Sequence, residues 1–208
     1  MTTITIKYSL EGNIAKYPNL IEIQQLSDYD NIQELHCSHN KLTELPPTLP
    51  ESLQTLNCFG NRITSLPSSL PESLQILDCS DNDITELPSS LPASLQTLYC
   101  SYNKLTELPS KLPESLQELE CSGNKLTSLP INLHELRNLT LFCYSNNEIE
   151  YIPPQTTRFL NRLKNPGLTQ PKLYNDRQNV HDHQIQESIR NSIYCVIKEK
   201  PSISIEEM

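Results

Sequence analysis

The sequence has no run of about 18 consecutive apolar residues, which is the length that a membrane-spanning helix requires. Its first nine residues, MTTITIKYS, lack the apolar centre and the cleavage pattern of a secretory signal peptide. The chain contains seven cysteines, but no two of them have the CxxC spacing of common metal-binding and redox motifs. These absences predict an intracellular protein without a membrane span, and they argue against a zinc site.

Basic residues are also scarce relative to acidic ones. The 208 residues include 16 Lys and Arg against 25 Asp and Glu, which gives a formal net charge of −9. Residues 1–154 hold 19 acidic and 8 basic side chains, a net of −11, whereas residues 155–208 hold 6 and 8, a net of +2. An acidic surface repels phosphate backbones, so we expect no binding of nucleic acid.

The sequence does contain an internal repeat of 21 residues, which occupies most of residues 32–154. A complete copy reads LQTLYCSYNKLTELPSKLPES. One cysteine and one asparagine recur at this spacing in all five copies. The cysteines are Cys37, Cys58, Cys79, Cys100 and Cys121, and the asparagines are Asn40, Asn61, Asn82, Asn103 and Asn124. A fixed period of this length is typical of stacked structural units.

Each repeat combines a short strand with an extended return. Apolar residues alternate around positions 3 to 5, which is the periodicity of a β-strand. Positions 1, 4, 6, 11, 14 and 18 are almost always Leu, Ile or Cys and are expected to point inward. Prolines at positions 15 and 19 fix the backbone φ angle and remove hydrogen-bond donors, so the return is predicted to be extended or polyproline-like. The repeat therefore predicts a solenoid with a parallel β-sheet on its concave face.

The recurring polar and sulfur-containing residues are predicted to be structural. An amide side chain can both donate to and accept from the backbone of adjacent turns, so we expect the asparagines, continued by Asn147, to form a ladder. A row of cysteines supplies one sulfur per repeat, whereas zinc needs four converging ligands. We therefore expect five buried free thiols, and no metal or cofactor.

The pattern LxxLxCxxNxLTxLPxxLPxS resembles the short leucine-rich repeats of secreted bacterial effectors. The cysteine at position 6 and the wording LPxSLQxLxCSxN resemble more closely the leucine-rich repeat proteins of giant viruses such as mimivirus. The resemblance covers residues 32–154, and it implies a leucine-rich repeat fold and a role in binding other proteins. For a giant-virus protein it would imply interaction with host or virion proteins, in the host cytoplasm or in the virion.

The chain divides into three parts. Residues 1–31 do not fit the repeat and are predicted to cap the open end of the stack, beginning with a strand over residues 2–8 and a turn at Gly12-Asn13. Six repeats follow, at residues 32–52, 53–73, 74–94, 95–115, 116–138 and 139–154. In the fifth, the return INLHELRN is two residues longer and allows a short helical turn. In the sixth, alignment of Asn147 puts Tyr144 at position 6 and Cys143 at position 5, although a bulge could instead keep Cys143 inside.

Residues 155–208 form a C-terminal segment in which short helices are predicted. Phe159, Leu160 and Leu163 have helical spacing within residues 155–165. A second helix is predicted from Asn179 to about Glu199, with an apolar face that includes Ile185 and Ile197.

The candidate binding residues lie at positions 3, 5 and 8, which vary between repeats. We expect them to line the concave face, where solenoids usually bind. Tyr99 and Tyr102 are the predicted aromatic anchors, with charged or polar neighbours at Asp78, Asp81, Glu120, Asn57 and His36. This composition favours binding of a basic segment of a protein partner. The alternative is that these positions vary between repeats only because they are exposed to solvent and carry no function.

The predicted function is therefore a non-enzymatic, monomeric protein-binding module. One alternative is a substrate-recognition arm that docks through its C-terminal helix to a larger, ubiquitin-linked assembly. Bacterial effectors with similar repeats often carry a ligase domain with a Cys-x-Asp motif, but Cys195 is followed by Val196 and Ile197. A cysteine-dependent enzyme that uses Cys143 or Cys195 is the remote alternative.

Overall fold

The computed structural model describes residues 4–8, 14–163 and 195–197. Its nine strands form one sheet in the order β2-β1-β3-β4-β5-β6-β7-β8-β9. The predicted turn at Gly12-Asn13 and most of the C-terminal segment lie outside the described residues.

The six central strands come one from each repeat. They are β3 (Ile32–His36), β4 (Thr55–Asn57), β5 (Ile76–Asp78), β6 (Thr97–Tyr99), β7 (Glu118–Glu120) and β8 (Leu141–Cys143). They pair in parallel, and residues at the same repeat position lie side by side, as Leu56, Leu77 and Leu98 do. The predicted solenoid with a parallel sheet is confirmed.

The N-terminal residues extend this sheet with antiparallel strands. β1 (Ile4–Tyr8) pairs with β2 (Ile14–Tyr17) on one side and with β3 on the other. Ile4 and Ile6 are fully buried, so this hairpin covers the apolar end of the first repeat. A short helix α1 (Leu20–Gln24) and a 3-10 turn (Tyr29–Asn31) then lead into β3. Asn19 caps α1, because its side chain accepts a hydrogen bond from the Glu22 N–H.

The core is a column of side chains that repeats with the sequence. The fourth repeat is typical, and its inward residues are all buried: Leu95, Leu98, Cys100, Leu105, Leu108 and Leu112. The returns of the first four repeats contain neither helix nor strand, as the paired prolines predict. In the fifth repeat, which lacks the second proline, a 3-10 turn forms at Leu133–Glu135.

The last turn of the solenoid is covered by α2 and β9. Helix α2 (Pro154–Arg162) begins with a proline in its first turn and buries Phe159, while Leu163 is buried directly after it. Strand β9 (Cys195–Ile197) pairs antiparallel with β8. The described α-helices, α1 and α2, are both too short and too polar to traverse a lipid bilayer.

Strand β9 corrects the prediction of a second C-terminal helix. The predicted helix over residues 179–199 would include residues 195–197, but these residues form a strand. Local apolar spacing favoured a helix, whereas pairing with the open edge of β8 satisfies backbone groups that a helix would leave unpaired there. Residues 179–194, with Ile185, lie outside the described residues.

The sixth repeat keeps the register of the others without a bulge. Phe142 pairs with Leu119 at position 4 and Cys143 pairs with Glu120 at position 5, which leaves Tyr144 at position 6. Cys143 is nevertheless only 4% exposed. Position 5 is partly exposed in four of the other five repeats, and only Asp78 in the third repeat is as buried as Cys143.

Candidate protein-binding surface

The predicted concave face is the solvent side of the parallel sheet, and we call it the sheet face. The strand pairing sets position 5 side chains next to each other in the order His36, Asn57, Asp78, Tyr99, Glu120. Position 3 forms a parallel row from Glu34 to Glu118. Adjacent strands are about 4.8 Å apart, so side chains in one row can contact each other directly.

A third row follows the strands at position 8, and its backbone is left-handed in every repeat. The φ angles are +56° at His39, +66° at Gly60, +55° at Asp81, +55° at Tyr102, +68° at Gly123 and +55° at Asn146. Residues with a Cβ are strained in this region, and Gly, Asn and Asp tolerate it best. The choice of residue at position 8 is therefore restricted by the turn after each strand as well as by exposure.

Two of these residues place a ring over the glycine of the next repeat. A Cβ added to Gly123 would lie 2.7 Å from Cδ1 of Tyr102, and one added to Gly60 would lie 2.5 Å from Nδ1 of His39. His39 also packs edge-on against Phe59, with ring centroids 4.9 Å apart. The absence of a side chain at Gly123 allows the ring of Tyr102 to lie against the neighbouring repeat, where it is half-buried.

Tyr99 is held by an acidic neighbour. Its hydroxyl donates a hydrogen bond to Oε2 of Glu118, which belongs to the adjacent strand β7. Burial raises the pKa of Tyr99, and the Glu118 hydrogen bond and the nearby carboxylates of Glu120 and Asp78 raise it further. The pKa of Tyr102 is raised by burial and by Glu120 and Asp81. Both tyrosines are therefore neutral donors set among carboxylates.

Asp78 does not have the exposed position that the sequence predicts. Its side chain is 6% exposed, and Oδ1 accepts a hydrogen bond from the Ser80 N–H at 3.1 Å. Asn57, at the same position, accepts one from the Phe59 N–H in the same way. Asp and Asn commonly bond the backbone two residues ahead, and this turn bends the chain after the strand. Asp78 contributes negative charge beneath the sheet face, but the prediction of an exposed contact residue is wrong for it.

The N-terminal end of the sheet face is electrically different from its centre. Nζ of Lys7, from strand β1, lies 2.6 Å from Oε1 of Glu34, and Nε2 of His36 lies 3.3 Å from the other oxygen of Glu34. The hydrogen bond from Lys7 is the main cause that lowers the pKa of Glu34. His36 is thus part of a mixed-charge group, whereas Glu118, Glu120 and Asp81 surround the tyrosines with negative charge.

The recurring asparagines hydrogen-bond between turns of the solenoid. The Oδ1 of Asn103 accepts from the Ile84 N–H at 3.0 Å, and its Nδ2 donates to carbonyl oxygens of Cys79, Cys100 and Ser101. In the same way, Oδ1 accepts from a backbone N–H and Nδ2 donates to backbone carbonyls at Asn61, Asn82, Asn124 and Asn147. Asn40, in the first repeat, donates to the carbonyl of Ser38.

The five recurring cysteines are free and buried. Burial raises their pKa values, to about 12 for Cys37 and well above the ordinary range for Cys58, Cys79 and Cys100. A thiol with a raised pKa is a poor nucleophile and a poor metal ligand. In the part of the chain that the structure describes, no three His, Cys, Asp or Glu residues are arranged to hold a metal ion.

Sequence reasoning missed two groups of residues. Glu118 lies at position 3, one of the predicted surface rows, but it was not named as a contact residue, and its bond with Tyr99 links positions 3 and 5 of adjacent strands. The serine at position 21 also bridges repeats, as Ser94 does by donating to the carbonyls of Glu72 and Leu74. Both could have been found from the 21-residue period. The serine recurs at position 21 of successive repeats, and the period places the residues of adjacent strands side by side.

Comparisons with known proteins agree with this repeat architecture. The family described as leucine-rich repeats in two copies matches residues 51–93, 72–114 and 93–130, and the single leucine-rich repeat family matches residues 31–51. No curated protein sequence matches the chain significantly.

Three solved structures illustrate the likeness. A leucine-rich repeat protein from Leptospira interrogans aligns with a TM-score of 0.57 and 32% identity, over 64% of this chain and 36% of that protein. The leucine-rich repeat domain of a Shigella effector aligns with a TM-score of 0.54 and 34% identity, over 58% and 52%. The plant peptide hormone receptor RGFR1, in complex with RGF2, aligns with a TM-score of 0.53 and 32% identity, over 61% and 22%.

These likenesses show that the fold is a leucine-rich repeat solenoid and that bacterial effector repeats are among its structural neighbours. The chain spans about a third of the Leptospira protein and about half of the Shigella domain. The giant-virus affinity that the cysteine pattern suggests stays a prediction, and so does the intracellular location.

Proposed function

We propose that this protein is a non-enzymatic module that binds a protein segment on its sheet face. The observation that carries the proposal is the pair Tyr99 and Tyr102, two half-buried aromatic residues of the fourth repeat, one in strand β6 and one in the turn that follows it. Aromatic side chains that are already ordered contribute large contact area at little further loss of conformational entropy. Leucine-rich repeat proteins generally act as interaction scaffolds, and the peptide-bound plant receptor is one example.

The charge around the tyrosines favours a partner segment that contains Arg or Lys. Glu120 and Asp81 flank Tyr102, and Glu118 accepts the hydroxyl of Tyr99. A guanidinium group can stack on a tyrosine ring while it bonds to a neighbouring carboxylate. The same carboxylates would repel nucleic acid. Neither zinc chemistry nor thiolate chemistry is supported by the five buried cysteines, which favours binding over catalysis.

A display experiment tests the proposal directly. Peptides selected on the wild-type protein should be enriched in Arg or Lys, and their affinity should fall by about 30-fold or more when Tyr99→Ala is combined with Tyr102→Gly. The estimate takes a loss of about 2 kcal/mol for a truncated hot spot, and about 1.4 kcal/mol changes an affinity tenfold. Glycine is chosen at position 102 because it relieves the left-handed φ of +55° there.

Two controls separate binding from folding. Tyr151→Ala removes a tyrosine that is 66% exposed on the return of the sixth repeat, and it should leave binding unchanged. Tyr99→Phe keeps the ring and removes only the bond to Glu118. The proposal fails if the double variant keeps its melting temperature and also its affinity, because the contact surface would then lie elsewhere.

A further inference from the structure

Cys143 differs from the five cysteines of the core. The structure describes those five as free thiols, whereas Cys143 is disulfide-bonded. The full sequence has seven cysteines, so within the chain Cys195 remains as its partner. The backbone register is consistent with this, because Cys143 of β8 lies directly opposite Cys195 of β9.

We propose that Cys143 and Cys195 form a disulfide that fastens the C-terminal segment to the last turn of the solenoid. Directly opposed residues of an antiparallel pair have Cα atoms about 4.5–5.5 Å apart, which lies within the range of about 4.4–6.8 Å that a disulfide requires. Cys121, in the adjacent repeat, is a free thiol and not the disulfide partner. Its Sγ donates a hydrogen bond to the backbone carbonyl of Cys143 at 3.3 Å.

The cross-link has a structural task at this edge. A parallel sheet that ended at β8 would present unpaired backbone groups, to which another strand could add. Strand β9 covers this edge with only three residues, and so short a pairing contributes little stability by itself. A covalent bond within the pairing keeps β9 in place, and it makes the coverage of the edge dependent on the redox state of two cysteines.

The chemistry balances with a low-molecular-weight disulfide as the oxidant. The thiolate of one cysteine attacks the oxidant and forms a mixed disulfide, releasing one small thiol. The other cysteine then attacks the protein sulfur of that mixed disulfide, which forms the Cys143–Cys195 bond and releases the second small thiol. Two protein thiols are oxidised and one small disulfide is reduced. Because Cys143 is 4% exposed, we expect both the formation and the reduction of the disulfide to require local opening of β9.

Peptide mass mapping of the full chain, alkylated without reductant after equilibration with oxidised glutathione, tests the pairing. The expected result is one cross-linked peptide pair that contains Cys143 and Cys195 and disappears on reduction. A bond between Cys143 residues of two copies would overturn the proposal. So would recovery of both cysteines as alkylated thiols or as glutathione adducts.

Hydrogen exchange tests the consequence. In the oxidised protein the amides of residues 195–197 should exchange at least about tenfold more slowly than in the reduced protein. Cys195→Ser and Cys143→Ser should each abolish this redox dependence. Equal exchange in the oxidised and reduced wild type would contradict the proposed disulfide between β8 and β9. A redox dependence that survives Cys195→Ser would also contradict it.

A shifted pair of cysteines tests the register itself. Leu141 lies opposite Ile197, two residues from the native pair and therefore at a site of the same hydrogen-bonding type. In a background with serine at positions 143 and 195, Leu141→Cys with Ile197→Cys should restore the cross-link. In a background with serine at position 143 only, Leu141→Cys with the native Cys195 should form a cross-link at most about a tenth as fast. Equal rates for the two would refute the register. The proposal does not depend on binding at the sheet face.

Discussion

Replacement of Asn103 by alanine is the perturbation whose effect the structure defines best. Asn103 is 8% exposed and lies in the fourth of six repeats. Its removal would leave the Ile84 N–H without its acceptor. The carbonyls of Cys79, Cys100 and Ser101 would each lose one bond from Asn103. They would still accept from Nδ2 of Asn82, Nδ2 of Asn124 and the Asp81 N–H, respectively, so they do not enter the estimate.

The magnitude follows from this one buried donor. Each buried polar group left unpaired costs about 1–3 kcal/mol, and water that enters the vacated space would recover part of it. We therefore expect Asn103→Ala to lower the free energy of unfolding by about 1–3 kcal/mol. Asn138→Ala is the matched control, because the exposed Asn138 makes one bond, to the carbonyl of Glu114, and its loss should cost about 0.5 kcal/mol.

Urea unfolding followed by circular dichroism measures the difference. The slope of the free energy against urea should be compared between variants, since a change in slope would mean that repeats unfold separately. Asn103→Asp gives a further comparison, because it keeps the acceptor for Ile84 but sets a carboxylate against the carbonyls of Cys79 and Cys100. Similar midpoints and slopes for the Asn103 and Asn138 variants would refute the assignment of these asparagines to the stability of the stack.

Two further predictions concern the core thiols and the sheet face. Buried thiols with raised pKa values should react with a thiol reagent at least about a hundredfold more slowly in the native protein than in denaturant, and rapid native labelling would contradict this for Cys37, Cys58, Cys79, Cys100 and Cys121. Gly123→Ala should lower the free energy of unfolding by about 1–2 kcal/mol through the φ angle of +68° alone, with a further loss from contact with Tyr102. Thermal unfolding in a wild-type and in a Tyr102→Gly background separates the two parts, and equal effects in both would show that the ring does not restrict position 123.

The repeat architecture could be predicted from the sequence because the same residue types occur at the same positions of each repeat and act locally. Leucine at position 4, as in Leu98, and proline at position 15 act within a few residues of themselves, and the period multiplies the signal. The left-handed backbone at position 8 was also present in the sequence, since Gly60, Gly123 and Asn146 are residues that favour it. It was not recognised, because His39 and Tyr102 at the same position made the row resemble a freely varying surface.

Two features were beyond this kind of reasoning. The burial of Asp78 depends on the neighbouring strands and on the bond to the Ser80 N–H, and an isolated strand pattern only assigns it to the solvent side. Residues 195–197 have apolar spacing that suits a helix, but their partner β8 is about 50 residues away in sequence. Local periodicity carries no information about such a contact.

The rings of His39 and Tyr102 have a consequence for how this protein can change. Each ring occupies space that only a glycine in the following repeat leaves open, so the first repeat fits the second, and the fourth fits the fifth. Exchanging Gly60 for Asp81 by swapping whole repeats would drive a side chain into His39. The unit that can be duplicated, deleted or transplanted without strain is therefore a pair of adjacent turns, and libraries built on this scaffold should keep those pairs intact.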